Sequence, residues 1–386
     1  MTWLTASQAL AALGVQPQTL YANVSRGRIQ AKPDPKDPRR SLYKSEDVKR
    51  LAGRKAGRRT VASVAAEAIG WGDPVLPSSI STIADGRLWY RGMDAAALSA
   101  TATLEQVAAL LWDAGQIDLV YHARNADEAA LAPEQPLEAV LLLLARRAGV
   151  DLPAYGRSRA VLAREAAGLF NDVTSAMLGP GAREGAAVHE RLARVWNAPQ
   201  AEDIIRRALV MLADHELNAS TFAARVAAST GAPLAASLLA GLATLTGPLH
   251  GGAYLGAWSL VRAAEATSAG FAVRELLAQG RSIPAFGHQL YPAGDLRAVT
   301  LLSQFTPGKV YQEIRESVEM LTGEQPNVDF AVTALADAFG LPPSAPFILF
   351  ALARCIGWIA HILEQQSDGQ LIRPRARYTG PALPLP

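Results

Sequence analysis

A single cysteine, Cys355, in 386 residues excludes an internal disulfide framework. It sits in an apolar run, where an inert buried thiol is expected, and a reducing cytoplasm suits such a chain. Charged residues are scarce at 19% while half of the chain is apolar, which excludes a disordered polyelectrolyte and supplies enough apolar material for two or three domains. No uncharged apolar run reaches spanning length. The nearest, Pro346 to Leu363, is broken by Arg354 and His361, so it reads as a buried helix and no membrane is expected. The opening MTWLTASQALAALG lacks a basic stretch ahead of an apolar core and a small-residue cleavage site, so no secretory signal is read. Repeats, low-complexity tracts, a P-loop, a GxGxxG fingerprint and a metal-ligand cluster are also missing, which leaves no metal expected.

What is present is unevenly distributed. The overall balance of +2 implies no polyanionic partner, yet residues 1–60 hold 13 Lys or Arg against 4 Asp or Glu, and the remaining 326 hold 24 against 31. A basic head is joined to a mildly acidic body. In the head, Thr5 and Gln8 match a capping box for a helix to about Leu13, Gly14 ends it, and Pro17 suits the first turn of a second helix through Val24. The stretch KPDPKDPRRSLYK has the turn residues of a hairpin, and Ser45 can cap a third helix. This order describes a winged helix-turn-helix over residues 1–52, followed by a basic linker at 53–60. Gln18, Thr19, Tyr21, Asn23, Arg26 and Arg28 are placed to meet a duplex. The segment resembles the excisionase and MerR type of DNA-binding domain, and a basic protein-docking module is the alternative.

From Val61 onward apolar residues recur at three- and four-residue intervals, as in Leu104 to Asp113 and Ile204 to Asp214, so the body reads as mainly α. The exception is SSISTIADGRLWYRG, whose alternation around Asp85 and Gly86 predicts a short hairpin. Three of the six histidines lie in unusual settings: His215 in ADHELNAS, His250 in GPLHGGA and His288 in PAFGHQLYPAGDLRA. Arg354 stands inside FILFALARCIGWIAHIL, where an unpartnered charge is costly, so something negative should meet it. Glu364 is the plain candidate. Arg297 and Arg373 lie near other predicted breaks, and a small dianionic substrate would account for all three, since the guanidinium fork matches a carboxylate. Asp329 in PNVDF follows a break and precedes a helix, which suits a helix cap.

GPLHGGA, PAFGH followed by Arg297, PNVDF, ALARCIGWIAHILEQ and LIRPRARY stand in the order and near the spacing found in citrate synthases, and DHELNASTFAAR belongs to the same pattern. The chain resembles that family from Ser78 to the C-terminus. The resemblance implies an all-helical body over 61–386, with a large domain at 61–219 and 331–386 and a small domain at 220–330 that closes over it. It implies Asp329 as the base, His250 as the residue steadying the enol, and His288 as the donor to the oxaloacetate ketone. His215, Arg297, Arg354 and Arg373 would hold carboxylates, Ile283, Pro284, Ala285, Phe286 and Gly287 would form the coenzyme A loop, and Arg373 would reach into the partner of a homodimer. The implied substrates are an acyl-CoA and oxaloacetate, with no cofactor beyond the coenzyme A thioester. A glycine-flanked turn entering a helix would depress the His250 pKa.

The pattern departs at Gln289 and Pro292, where the family commonly has arginine and lysine, and at DLRA in place of DPRA, so acyl-CoA affinity is the quantity put in question. Acetyl-CoA condensation to citrate is the leading expectation and 2-methylcitrate synthesis from propionyl-CoA the nearest alternative. A transcriptional regulator sensing ligands through this body is the rival from another class. His250, His288 and Asp329 together speak against a pure sensor, because ligand binding needs no base.

Overall fold

The computed structural model describes residues 3–13, 19–20, 23–24, 29–34, 37–48, 76–115, 119, 135–179, 187–376 and 378–381. The chain forms two compact units, Met1–Pro77 with Arg375–Pro386, and Ser78–Pro374.

In the first unit, β1 (Trp3–Leu4) leads into α1 (Ala6–Leu13). The Thr5 N–H donates to Gln8 Oε1 at 2.9 Å and the Gln8 N–H to Thr5 Oγ1 at 3.4 Å, the reciprocal capping that the sequence suggests. The basic stretch forms β2 (Ala31–Asp34) and β3 (Asp37–Lys44), antiparallel, with Ala31 opposite Tyr43 and a register shift at Pro33 and Asp34. β1 pairs on the other edge of β3. Ala9, Leu13, Leu20, Ile29, Tyr43 and Val48 make a small buried core. Residues 19–20 and 23–24 are helical, and Asn23 Nδ2 donates to the Thr19 carbonyl at 2.9 Å. Gln18, Tyr21, Arg26, Arg28 and the linker 53–60 lie outside the described residues.

The second unit begins with the hairpin read from the sequence. β4 (Ser81–Ala84) and β5 (Arg87–Tyr90) are joined by Asp85 and Gly86, both at positive φ (51° and 71°), as a tight two-residue turn between twisted strands requires. β6 (Met93–Asp94) completes the sheet. Helices follow: α2 (Ala95–Thr101), α3 (Leu104–Trp112), α4 (Pro136–Val150), α5 (Arg159–Leu178), α6 (Val188–Val195), α7 (Glu202–Leu212), α8 (Ala219–Ser229) and α9 (Leu234–Leu245). After them come α10 (Ala253–Ala266), α11 (Ala269–Ala278), α12 (Leu296–Leu302), α13 (Lys309–Thr322), α14 (Val328–Ala338) and α15 (Ala345–Asp368).

Two apolar clusters organise these helices. One draws on Ile80 to Leu245 and again on Ala298 to Leu363, and the other on Ala257 to Ala334. α15 is long and apolar enough to cross a membrane by length and composition, but 94% of that window is buried inside the fold, so it is the core helix that the sequence predicts. Trp112 and Trp358 are fully buried against it or on it, each such side chain contributing roughly 3 kcal/mol, and Trp112 satisfies its indole N–H on the Ile356 carbonyl at 2.9 Å. Cys355 is wholly buried and its thiol is pushed well above the ordinary value by burial, as an inert core cysteine should be.

Candidate active site

The loop between α7 and α8 carries Asp214 and His215, and the apposition of α15 shapes it. The Gly357 N–H donates to the Ala213 carbonyl at 3.0 Å, and a methyl group at Gly357 would overlap both that carbonyl and Asp214 Oδ1. Only glycine allows this approach of loop to helix. Asp214 accepts from the Ser81 hydroxyl and from His361 Nε2 at 3.3 Å. Since Arg225 Nη1 must donate to His361 Nδ1 (3.0 Å), the His361 proton sits on Nε2 and points at Asp214. Burial alone would raise the Asp214 pKa, but His361, Arg354 and Ser81 outweigh it and hold the carboxyl low.

Glu364 does not meet Arg354, contrary to the plain expectation. It pairs with Arg225 at 2.6 Å and accepts from Ser79 N and Oγ at 2.8 Å, because those groups face it one helical turn beyond His361. Arg354 is 1% exposed, donates Nε to the Leu212 carbonyl at 3.2 Å and lies 4.8 Å from the Phe350 ring centre. No ion pair reaches it among the described residues, and burial lowers its pKa, with Asp214 the charge that most opposes this. A buried guanidinium in that condition is prepared for an anion that arrives from outside.

His215 joins a ring cluster. Its Nε2 is 3.0 Å from the Tyr291 hydroxyl, its ring meets His288 edge-on at 5.3 Å, and Tyr291 lies 5.0 Å from His288. Burial, then Arg297 and Arg354, drive the His215 pKa well below its ordinary value. Burial likewise lowers His288, with Arg297 adding to it and Asp295 opposing. The Leu290 N–H donates to His288 Nδ1 at 3.1 Å, which assigns the proton of the neutral ring to Nε2.

His250 occupies the turn between α9 and α10, with Nε2 2.7 Å from the Ser220 hydroxyl. Ser220 is fully buried, accepts from Trp358 Nε1 at 3.1 Å, and donates to Asn218 Oδ1 at 2.7 Å. The His250 pKa falls to about 4, from burial first and Arg354 second. The direction agrees with the sequence, and desolvation is the largest cause for this ring.

Asp295 closes the start of α12 and clasps Arg297 in two bonds of 2.9 and 2.8 Å, while its Oδ2 also accepts from the Val328 N–H at 3.0 Å. The buried Arg297 therefore has an internal anion, which reading the three arginines together as substrate binders does not anticipate. Asn327, and not Asp329, caps α14, accepting from the Asp329 N–H at 3.0 Å. Released from capping, the Asp329 carboxyl is raised to about 6 by burial, with Arg297 and Arg354 pulling it down and Asp295 pushing it up.

Two strand-like segments connect these groups. The Gly287 N–H donates to the Gln325 carbonyl at 2.9 Å, the Asn327 N–H to Ala285 at 3.0 Å, and Asn327 Nδ2 to Gly287 at 3.1 Å. Of the expected coenzyme A loop, Ile283 and Ala285 are buried in the second cluster, Pro284 packs against Gly256, and Phe286 and Gly287 line a cavity of about 720 Å3 beside His288. Arg373 is exposed beyond α15 and takes no part in the cluster's hydrogen bonds. The sequence does not point to Tyr291, Asp295, Ser220, Trp358 or Arg225 as site residues. Tyr291 and Asp295 stand within PAFGHQLYPAGDLRA, but only the fold reveals their partners.

A second gathering of ligand-type side chains, His189, Glu190 and Glu202, brings one ligand atom from each within 4.8 Å of the others. All three sit in the first turns of α6 and α7, where the helix dipole opposes a cation.

Residues 175–375 match the family described as citrate synthase, C-terminal domain. Citrate synthase 2 of Bacillus subtilis (strain 168) is 32% identical over 346 residues, spanning 79% of this chain and 93% of that protein. 2-methylcitrate synthase 2 of Corynebacterium glutamicum is 30% identical over 246 residues, 61% of this chain and 60% of its own. The crystal structure of citrate synthase from Thermotoga maritima MSB8 superposes with a TM-score of 0.67 at 26% identity, covering 83% of this chain and 98% of that one. A profile match over more than half of the chain, a relative matched along nearly its whole length and a shared fold agree with the ordered motifs, and this chain belongs to the citrate synthase family of enzymes.

Proposed function

We propose that this enzyme condenses acetyl-CoA with oxaloacetate and water to give citrate and free coenzyme A. The observation that carries the reading is Asp329, a half-buried carboxyl raised to about 6 by desolvation against the pull of Arg297 and Arg354, in a unit whose site histidines are held neutral. A base of that pKa is ionised at neutral pH yet strong enough to take a proton from the thioester methyl group.

In this mechanism Asp329 removes the methyl proton while His250 donates from Nδ1 to the thioester oxygen. Donation from Nδ1 requires Ser220 to turn its hydrogen from Asn218 Oδ1 to His250 Nε2, 2.7 Å away. The resulting enol carbon attacks the oxaloacetate ketone, whose oxygen takes the Nε2 proton of His288. Arg354, Arg297 and His215 hold the carboxylates of oxaloacetate. Water then cleaves the citryl thioester, and the thiol leaves as coenzyme A. Water must stay out until then, and closure of the small domain over 220–330 is part of the proposal. Citrate synthases need no cofactor beyond the coenzyme A substrate, and family membership agrees with that. A homodimer also belongs here, since the exposed Arg373 is free to complete a partner's site.

The test is thiol release from acetyl-CoA and propionyl-CoA, with and without oxaloacetate, beside an Asp329→Ala control. Oxaloacetate-dependent release lost in the control supports condensation, and the ratio of the two rates names the donor, propionyl-CoA being kept open by the 2-methylcitrate synthase relative. No release from either donor by folded protein would sink the proposal.

A second reading concerns the head. Residues 1–60 carry 13 basic against 4 acidic residues, and a basic antiparallel hairpin packs with a capped helix over a shared core. We propose that it contacts DNA as a winged helix-turn-helix, Thr19 and Asn23 among the contacts. Salt-sensitive retention on duplex DNA that persists in Asp329→Ala would support it, and equal retention after removal of residues 1–60 would overturn it.

A further inference from the structure

The cavity beside His288 is walled by the loop after α11 and by the turn linking α13 to α14. Among the described residues no lysine or arginine contributes to that wall. Its acidic members are Asp295, which Arg297 neutralises in two bonds, and Glu324, which forms no ion pair among the described residues. Glu324 is exposed, and its Oε1 lies 3.1 Å from where a Cβ on Gly287 would stand, so the carboxylate covers the backbone next to His288. Three of the helix-start N–H groups nearby already have acceptors. Asp295 accepts from the Arg297 and Val328 N–H groups, and Asn327 accepts from that of Asp329.

Phosphates are held by guanidinium or ammonium groups or by free N–H groups at helix starts. This wall offers no guanidinium or ammonium group among the described residues, and an unpaired carboxylate repels phosphate. Gln289 and Pro292, which also line the cavity, add no charge. A thiol arm with amide groups and no phosphate meets no such penalty.

We infer that this cavity reads the acyl donor by its pantetheine arm and draws no affinity from nucleotide phosphates, with Glu324 as the specificity-determining residue. The inference rests on the proposed condensation, because it takes the cavity as the acyl donor's entry. Thioesters of pantetheine and of coenzyme A are then comparable substrates.

The experiment titrates free coenzyme A and free pantetheine into the full-length protein with oxaloacetate present, by calorimetry, and compares kcat/KM for their acetyl thioesters. The two dissociation constants are expected to agree within about threefold, and Glu324→Lys should shift their ratio toward coenzyme A by about tenfold, with Glu324→Gln shifting it the same way by less. Coenzyme A binding more than about tenfold tighter than pantetheine to the unaltered protein would overturn the inference, as would a ratio unmoved in both variants. If neither thioester releases thiol while the binding ratios follow expectation, the condensation fails and the reading of the cavity stands. If both thioesters release thiol with a strong, salt-sensitive preference for coenzyme A, the condensation stands and the reading of the cavity fails.

Discussion

His250 Nε2 stands 2.7 Å from the hydroxyl of Ser220, which itself receives the indole N–H of Trp358. The single hydrogen of Ser220 can serve either His250 or Asn218, and that choice decides which ring nitrogen of His250 carries a proton. In the proposed reaction it goes to His250. Ser220→Ala is therefore expected to lower kcat by about 10- to 100-fold with little change in the KM for oxaloacetate, because it removes tautomer control and leaves the arginines in place. Steady-state kinetics at saturating acyl donor checks this, and an unchanged kcat would count against the role given to His250.

Asp329 sets the acid limb of activity. Its carboxyl is raised to about 6, so kcat/KM should fall with one-proton slope as pH drops through that value. Stability moves the other way. The folded state binds this proton more tightly than the unfolded chain, whose carboxyl has the ordinary value of 3.8, so stability is lost as pH rises from 3.8 to about 6. Asp329→Asn should abolish turnover and gain on the order of 2 kcal/mol above pH 6, with no gain at pH 4, by urea unfolding.

Asp295→Ala leaves the Arg297 guanidinium buried without its carboxylate and the Val328 N–H without an acceptor. A loss of about 3–5 kcal/mol in unfolding free energy is expected from the uncompensated charge. Burial opposes the ionised form of Asp295, but Arg297 outweighs it and holds the pKa below the ordinary 3.8. Its contribution is thus present above that value and lost as pH falls through the folded one. The stability difference between the parent and Asp295→Ala should therefore shrink as pH falls below the ordinary carboxylate value, which unfolding of both proteins across that range measures.

Tyr291→Phe removes the hydroxyl at His215 and keeps the ring against His288. The expected result is a KM for oxaloacetate raised by about 3- to 10-fold with kcat less affected, since His215 loses its fixed orientation and not its ring.

Gly357→Ala drives a methyl group into Asp214 and the Ala213 carbonyl. Displacing that loop moves His215, so both thermal stability and oxaloacetate affinity should drop. Calorimetric melting and isothermal titration measure the two.

How much of the fold and site is legible in the sequence depends on the range of the forces involved. The Thr5 cap, the Asp85–Gly86 turn and the periodic helices are local, decided by residues within a few positions of one another, and they stand where the sequence places them. Breaks around His250 and His288 are visible for the same reason, through their glycines. Pairing of the buried polar groups is not. Arg225 with Glu364 joins α8 to α15, and His361 with Asp214 joins α15 to the loop after α7. Nothing in AGDLRA says that Asp295 would bend back onto Arg297 and also reach Val328.

The sequence by itself determined a basic head, a helical body and the ordered motifs of one enzyme family, because composition, periodicity and spacing are written along the chain. Tertiary structure alone decided which carboxylate each guanidinium meets, that Asn327 relieves Asp329 of capping, and that burial holds the site histidines neutral. Those outcomes follow from desolvation and from Coulomb interactions across space. Both act between atoms that folding brings together, whatever their separation along the chain.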